Sequence, residues 1–118
     1  MTSSTIDTIN HRIQVEGGFI SGVNGEGPDT IIFKGVPYAA PPIGELRWCP
    51  PKPVVPWEGV RKCDTYGKIC PQLFQPPVGF YRKEFYDDPD PEMSEDCLYL
   101  NVWVPKSQLA HQSSPLPV

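Results

Sequence analysis

Apolar and polar positions alternate most cleanly near the end of the chain. Leu98, Leu100, Val102 and Val104 fall on one face, and Tyr99, Asn101 and Trp103 on the other. That period of two predicts a strand over 98–104, entered from the acidic turn Ser94-Glu95-Asp96-Cys97. Shorter β-prone runs occupy 12–16 and 18–23, separated by Gly17-Gly18, a dipeptide suited to a tight hairpin. After the turn cluster Asn24-Gly25-Glu26-Gly27-Pro28-Asp29, the run Thr30-Ile31-Ile32-Phe33 reads as a third strand. The three runs together predict an antiparallel meander with one buried face.

No regular structure is expected over 34–60. Pro37, Pro41, Pro42, Pro50, Pro51, Pro53 and Pro56 each remove a backbone donor and restrict the preceding residue. Tyr38, Trp48 and Trp57 sit among them, so the stretch reads as an ordered wrap fastened by rings. A proline-rich ligand for a recognition domain is the competing reading. Gly79–Tyr86 predicts a short helix, and the tail from Pro105 to Pro117 is polar and turn-prone.

Composition sharpens this picture. Sixteen prolines and ten glycines in 118 residues approach the level of low-complexity disorder. Three tryptophans, five tyrosines and five phenylalanines oppose that reading, because disordered chains are poor in rings. Irregular, ring-anchored structure lying over a core supplied largely by other residues reconciles the two. The formal charge of −4 comes with scattered basic pairs such as Arg61-Lys62, not a stripe that could track phosphates. Nucleic-acid binding is therefore not expected. The acidic run from Glu84 to Asp96 reads as a solvated loop. No stretch approaches the roughly 18 apolar residues of a membrane helix. The first twenty residues lack a basic start followed by an apolar run. A cytoplasmic chain is expected as written, and a secreted one if a segment precedes it.

Little local chemistry presents itself. A nucleophile needs a base within reach and a group to orient that base. Ser94 lies beside Glu95 and Asp96, which are poorly placed to activate it, and neither His11 nor His111 has a local reason to approach. A turn or capping role suits Ser94. Cys49, Cys63, Cys70 and Cys97 lack the close pairing of zinc ligands, so neither a metal nor any other cofactor is expected. Cys49 and Cys63 read as small buried thiols.

Two long segments add a different kind of information. Ser94-Glu95-Asp96-Cys97-Leu98-Tyr99-Leu100-Asn101-Val102-Trp103 resembles a signature of the type-B carboxylesterases, the α/β-hydrolases that include the cholinesterases. The run from Phe33 through Gly35, Pro37, Tyr38, Pro41, Pro42 and Arg47 to Trp48 resembles that family's other N-terminal hallmark, and Gly67-Lys68-Ile69-Cys70-Pro71-Gln72 fits as well. The resemblance implies an α/β fold of which the 118 residues form an N-terminal portion: meander, proline-rich wrap, disulfide-type loop and first central-sheet strand. It implies that Cys70 and Cys97 match the family's first disulfide, which closes an Ω-like loop above the active-site gorge. It implies a buried ion pair between Arg47 and Glu95. Cholinesterases carry a choline-stacking tryptophan at the position that falls, without a gap, on Asp87. With Phe85 and Tyr86 before it, this stretch is a possible gorge wall without an evident choline pocket.

The family's His-Gly-Gly-Gly segment and Gly-x-Ser-x-Gly elbow do not occur in the sequence. The expected role is thus part of a serine esterase that cleaves small carboxylic esters through an acyl-enzyme, with no activity in these residues alone. The alternative is a portion of a catalytically dead, adhesion-type member of the same fold. The residues downstream of Val118 would separate the two, by the presence or loss of the elbow serine. Nothing in the residues sets an oligomeric state.

Overall fold

The computed structural model describes residues 11–73, Gly79 and residues 91–110. The helix expected over Gly79–Tyr86 falls, apart from Gly79, outside the described residues. Among the described residues, six strands form two three-stranded sheets. The first sheet holds β1 (Arg12–Val15), β2 (Gly18–Ser21) and β5 (Val60–Lys62) in the order β1-β2-β5. The second holds β3 (Val23–Asn24), β4 (Thr30–Pro37) and β6 (Tyr99–Pro105) in the order β3-β4-β6. A short helix α1 (Lys106–Ala110) follows β6.

β1 and β2 pair antiparallel with Val15 opposite Gly18, so the turn is Glu16-Gly17 and Gly18 already belongs to the strand. The expected meander is not formed. The run over 18–23 breaks at Gly22, and its halves enter different sheets. The reason is steric: a Cβ on Gly22 would lie 2.8 Å from the Ile31 side chain and 2.8 Å from the Ile32 carbonyl. The chain crosses β4 so closely there that it turns from one sheet into the other. β3 then pairs with β4 through Val23–Ile32 and Asn24–Ile31.

β4 also outruns its expected end at Phe33 and continues to Pro37, into the stretch where regular structure is not expected. A bulge between Phe33 and Val36 makes this possible. Gly35 takes φ +70 in the bulge, and its freed N–H donates to Asn101 Oδ1 at 3.0 Å. Pro37 ends the strand, where its missing donor matters least. The region 34–60 holds two further short pieces, a 3₁₀ turn at Gly44–Leu46 and the first residue of β5.

The wrap is fastened less evenly than its rings suggested. Ala39, Ala40 and Val54 are buried, and Trp57 Nε1 donates to the Phe19 carbonyl at 2.8 Å. Tyr38 is exposed and Trp48 is 98 % exposed, with φ +61. The Trp48 ring points outward, and the Tyr38 ring is half exposed at the rim of the apolar hollow between the sheets. Past β6, Lys106–Ala110 is helical rather than turn-like, and the Lys106 N–H donates to the Asp29 carbonyl at 2.7 Å. The residues beyond Ala110 lie outside the described set.

The core sits where the two sheets meet. Ile20, Ile31, Phe33, Val36 and Cys63 are buried together, with Ile13, Val15, Trp57, Val104 and Leu109 packed around them. Cys63 stitches the sheets: its N–H donates to the Ser21 carbonyl at 2.9 Å, and its own carbonyl accepts from Lys34 at 2.8 Å. β6 was expected inside a central sheet. Among the described residues it lies at the sheet edge, paired with β4 alone.

Candidate functional site

Arg47, Cys70, Ser94, Glu95 and Cys97, all singled out by sequence, converge on one corner between the wrap and the start of β6. Two short segments zip together there. Ile69 and Met93 form a parallel bridge; the Ile69 N–H donates to the Glu92 carbonyl at 3.0 Å, and the Ser94 N–H to the Ile69 carbonyl at 2.9 Å. Lys68 Nζ meets Glu92 Oε1 at 2.9 Å on the outside of the zip. This pairing delivers Cys70 to Cys97 across 27 positions of sequence, and the Cys70 thiol donates to Cys97 Sγ at 3.1 Å. Both are free thiols in this structure, so no disulfide is present. The Cys97 thiol is pushed up to about 11, first by the hydrogen bond from Cys70 and then by burial and the nearby carboxylates.

Ser94 plays a turn role: its hydroxyl accepts the Asp96 N–H at 3.1 Å. The Tyr99 hydroxyl donates to Asp96 Oδ1 at 2.9 Å, and the phenol is held above its ordinary range by burial and by that carboxylate. No imidazole faces Ser94 among the described residues. His11 is half-buried at the start of β1 with φ +49, and His111 lies outside them. The remaining cysteines divide. Cys63 is buried, with its thiol raised by desolvation, whereas Cys49 is exposed, contrary to expectation, and donates to the Glu45 carbonyl at 3.3 Å. Cys49 follows the 3₁₀ turn on the outer surface of the wrap, where no apolar element covers it.

A model of the carboxylesterase family matches residues 9–118. The chain belongs to the carboxylesterase family. It is 42 % identical over 91 residues to the acetylcholinesterase of Gallus gallus, covering 75 % of this chain and 12 % of that protein. It is 38 % identical over 109 residues to the cocaine esterase of Homo sapiens, covering 92 % of this chain and 19 % of that one. A solved PNB esterase superposes with a TM-score of 0.65 at 34 % identity, over 82 % of this chain and 17 % of the esterase. The chain thus spans less than a fifth of the length of these carboxylesterases.

Within the carboxylesterase segment, Arg47 Nε lies 2.7 Å from Glu95 Oε1, which ties the wrap to the turn before β6. The expected burial of this pair is not found: the two side chains are 57 % and 46 % exposed. Burial needs a covering layer, and no described element lies over them. Phe85, Tyr86 and Asp87, the possible gorge wall, lie outside the described residues. Among the described residues no group of three or more His, Cys, Asp or Glu side chains could hold a metal ion, and no helix is long and apolar enough to cross a membrane.

Two contacts escaped the sequence reading. The Asn101 side chain caps the β4 bulge, and Arg61 lies between the rings of Trp57 and Tyr99. A glycine interrupting a strand-like run was the available signal for the first. The second depends on the parallel pairing of β5 with β2, which no local pattern announces.

Proposed function

We propose that these residues are the structural opening of a single serine carboxylesterase domain. They build one margin of the sheet and the loop beside the substrate gorge, while the acyl-transfer chemistry lies in other residues. In that chemistry a serine attacks a small carboxylic ester, a histidine backed by a carboxylate moves the proton, and backbone donors stabilise the oxyanion. The observation that carries the reading is the family match across residues 9–118, within which no Gly-x-Ser-x-Gly occurs.

The geometry agrees with a supporting role. An apolar hollow of about 280 Å³ opens between the sheets, lined by Ile13, Val15, Phe33, Leu100, Val102 and Val104. Leu100 and Val102 remain 39 % exposed on it. An apolar face at a sheet edge of this kind suits packing against further protein. Arg47–Glu95 and Cys70–Cys97 would then hold the loop's base against the wrap, with Phe85, Tyr86 and Asp87 along the gorge.

The test is direct. The purified 118-residue chain is expected to hydrolyse a short-chain nitrophenyl ester no faster than buffer. Turnover that a serine-directed organophosphonate abolishes would place the chemistry inside these residues and overturn the reading.

A further inference from the structure

Arg61 is held in an unusual way for an exposed residue. Its guanidinium carbon lies 5.5 Å from the centroid of the Trp57 ring and 5.9 Å from that of Tyr99. Both rings are fixed independently of it. Trp57 is tied through Nε1 to the Phe19 carbonyl, and Tyr99 through its hydroxyl to Asp96. The Tyr99 ring also packs so closely on Gly67 that a Cβ there would lie 2.7 Å from it. The fork is therefore positioned by its surroundings; one of its N–H groups lies within reach of the Tyr99 hydroxyl oxygen, and the others are left for a ligand.

The two ion pairs among the described residues are Arg47–Glu95 and Lys68–Glu92, so Arg61 has no carboxylate partner there. It faces a pocket of about 220 Å³, lined also by Lys62, Thr65, Tyr66, Lys68 and Asp96. Lys68 is engaged by Glu92, and Asp96 by the Tyr99 hydroxyl. Against the one remaining carboxylate of Asp96, Arg61 and Lys62 leave a net positive charge among the described residues of the pocket wall.

We propose that this pocket, between β5 and the turn at residues 65–68, binds a small monocarboxylate through the Arg61 guanidinium. A planar fork with parallel N–H donors matches a carboxylate two bonds at a time, and holding the fork in advance lowers the ordering cost of binding. The pocket exceeds the volume of several waters, so a short carbon tail fits beside the exposed Tyr66 ring. Asp96 sets the charge preference. Its carboxylate on the same wall repels a phosphate dianion more than a monoanion.

The experiment follows side-chain N–H resonances of the ¹⁵N-labelled chain at constant ionic strength, titrating sodium acetate, butyrate, phosphate or chloride. The Arg61 Nε–H and Trp57 indole signals are expected to shift together and saturably with acetate and butyrate. Arg61→Lys keeps the charge and the stem over the rings but loses the fork, and is expected to bind about tenfold more weakly. Arg61→Ala is expected to abolish saturation, and Lys62→Ala to weaken it about twofold. Undiminished binding by Arg61→Lys, tighter binding of phosphate than acetate, or shifts equal to those with chloride would overturn the proposal.

Discussion

β4 and β6 are hydrogen-bonded neighbours with matched registers, yet they live in different environments. Ile31, Phe33 and Val36 on β4 stand opposite Val104, Val102 and Leu100 on β6. The three β4 residues are buried, with Phe33 at 1 % exposure, while Val102 and Leu100 reach 39 %. The difference is not one of hydrophobicity, since both faces are aliphatic or aromatic. β4 is the middle strand of its sheet and lies under the β1–β2 hairpin, whose Ile13, Val15 and Ile20 close over it. β6 is reached by that cover at Val104 alone and runs out from beneath it toward Tyr99. Apolar patterning specifies which face seeks burial; position in the sheet decides whether it obtains it.

The largest test of that contrast is a pair of truncations on facing residues. Phe33→Ala empties a fully enclosed site and is expected to cost about 3–5 kcal/mol, a large share of a small chain's stability. Val102→Ala, directly opposite, is expected to cost less than about 1 kcal/mol because water already reaches the side chain. Urea denaturation followed by circular dichroism measures both. Equal losses would mean that β6 is covered in solution and that the contrast is false.

Oxidation tests the next tier, because it would tighten the less protected region. Joining Cys70 to Cys97 closes a loop of roughly 28 residues, worth up to about 3.6 kcal/mol in the chain-entropy account. The denaturation midpoint is expected to rise under oxidising conditions and return with dithiothreitol, and Cys97→Ser should remove the difference. In the reduced chain the sign of the pH effect follows from the raised Cys97 thiol. Its hydrogen bond with Cys70 favours the protonated form in the folded state. That stabilisation is complete below pH 9 and is lost as pH climbs from 9 toward about 11. At pH 8, iodoacetamide should label exposed Cys49 well before Cys97 or buried Cys63, as read by peptide mass spectrometry. Faster labelling of Cys97 than of Cys49 would break the thiol pairing.

How much of this was legible beforehand depends on the range of the interaction. β6 was readable within one residue because alternation is local, and so was the hairpin around Gly17. The split at Gly22 was not: the run from Gly18 to Val23 keeps its strand character, and what forbids a continuous strand is the close crossing over Ile31 and Ile32, on a different strand beyond the next turn. β4 was cut short because prolines argue against strands, whereas Gly35 and Asn101 together carry the ladder across a bulge. The corner at Cys70 and Cys97 was located through resemblance to carboxylesterases, not through the residues' own pattern. The clamp on Arg61 needed the β2–β5 pairing before it could be seen at all.

The smallest expected effect concerns Arg47 and Glu95. A pair sealed in a core would leave a stranded charge when one partner is removed, costing roughly 3–5 kcal/mol. Here both side chains are about half exposed, so solvent screens the attraction and rehydrates whichever charge is left behind. Arg47→Ala in the 118-residue chain is therefore expected to cost no more than about 1 kcal/mol, and Lys68→Ala, which breaks the exposed pair with Glu92, is expected to shift the denaturation midpoint no further. Both losses should shrink further in 1 M salt, where the Debye length falls to about 3 Å. A salt-insensitive loss several times that of Lys68→Ala would show that the corner is covered in solution. In that event the boundary between the two regions would have to move outward, past Glu95 to the edge of the wrap.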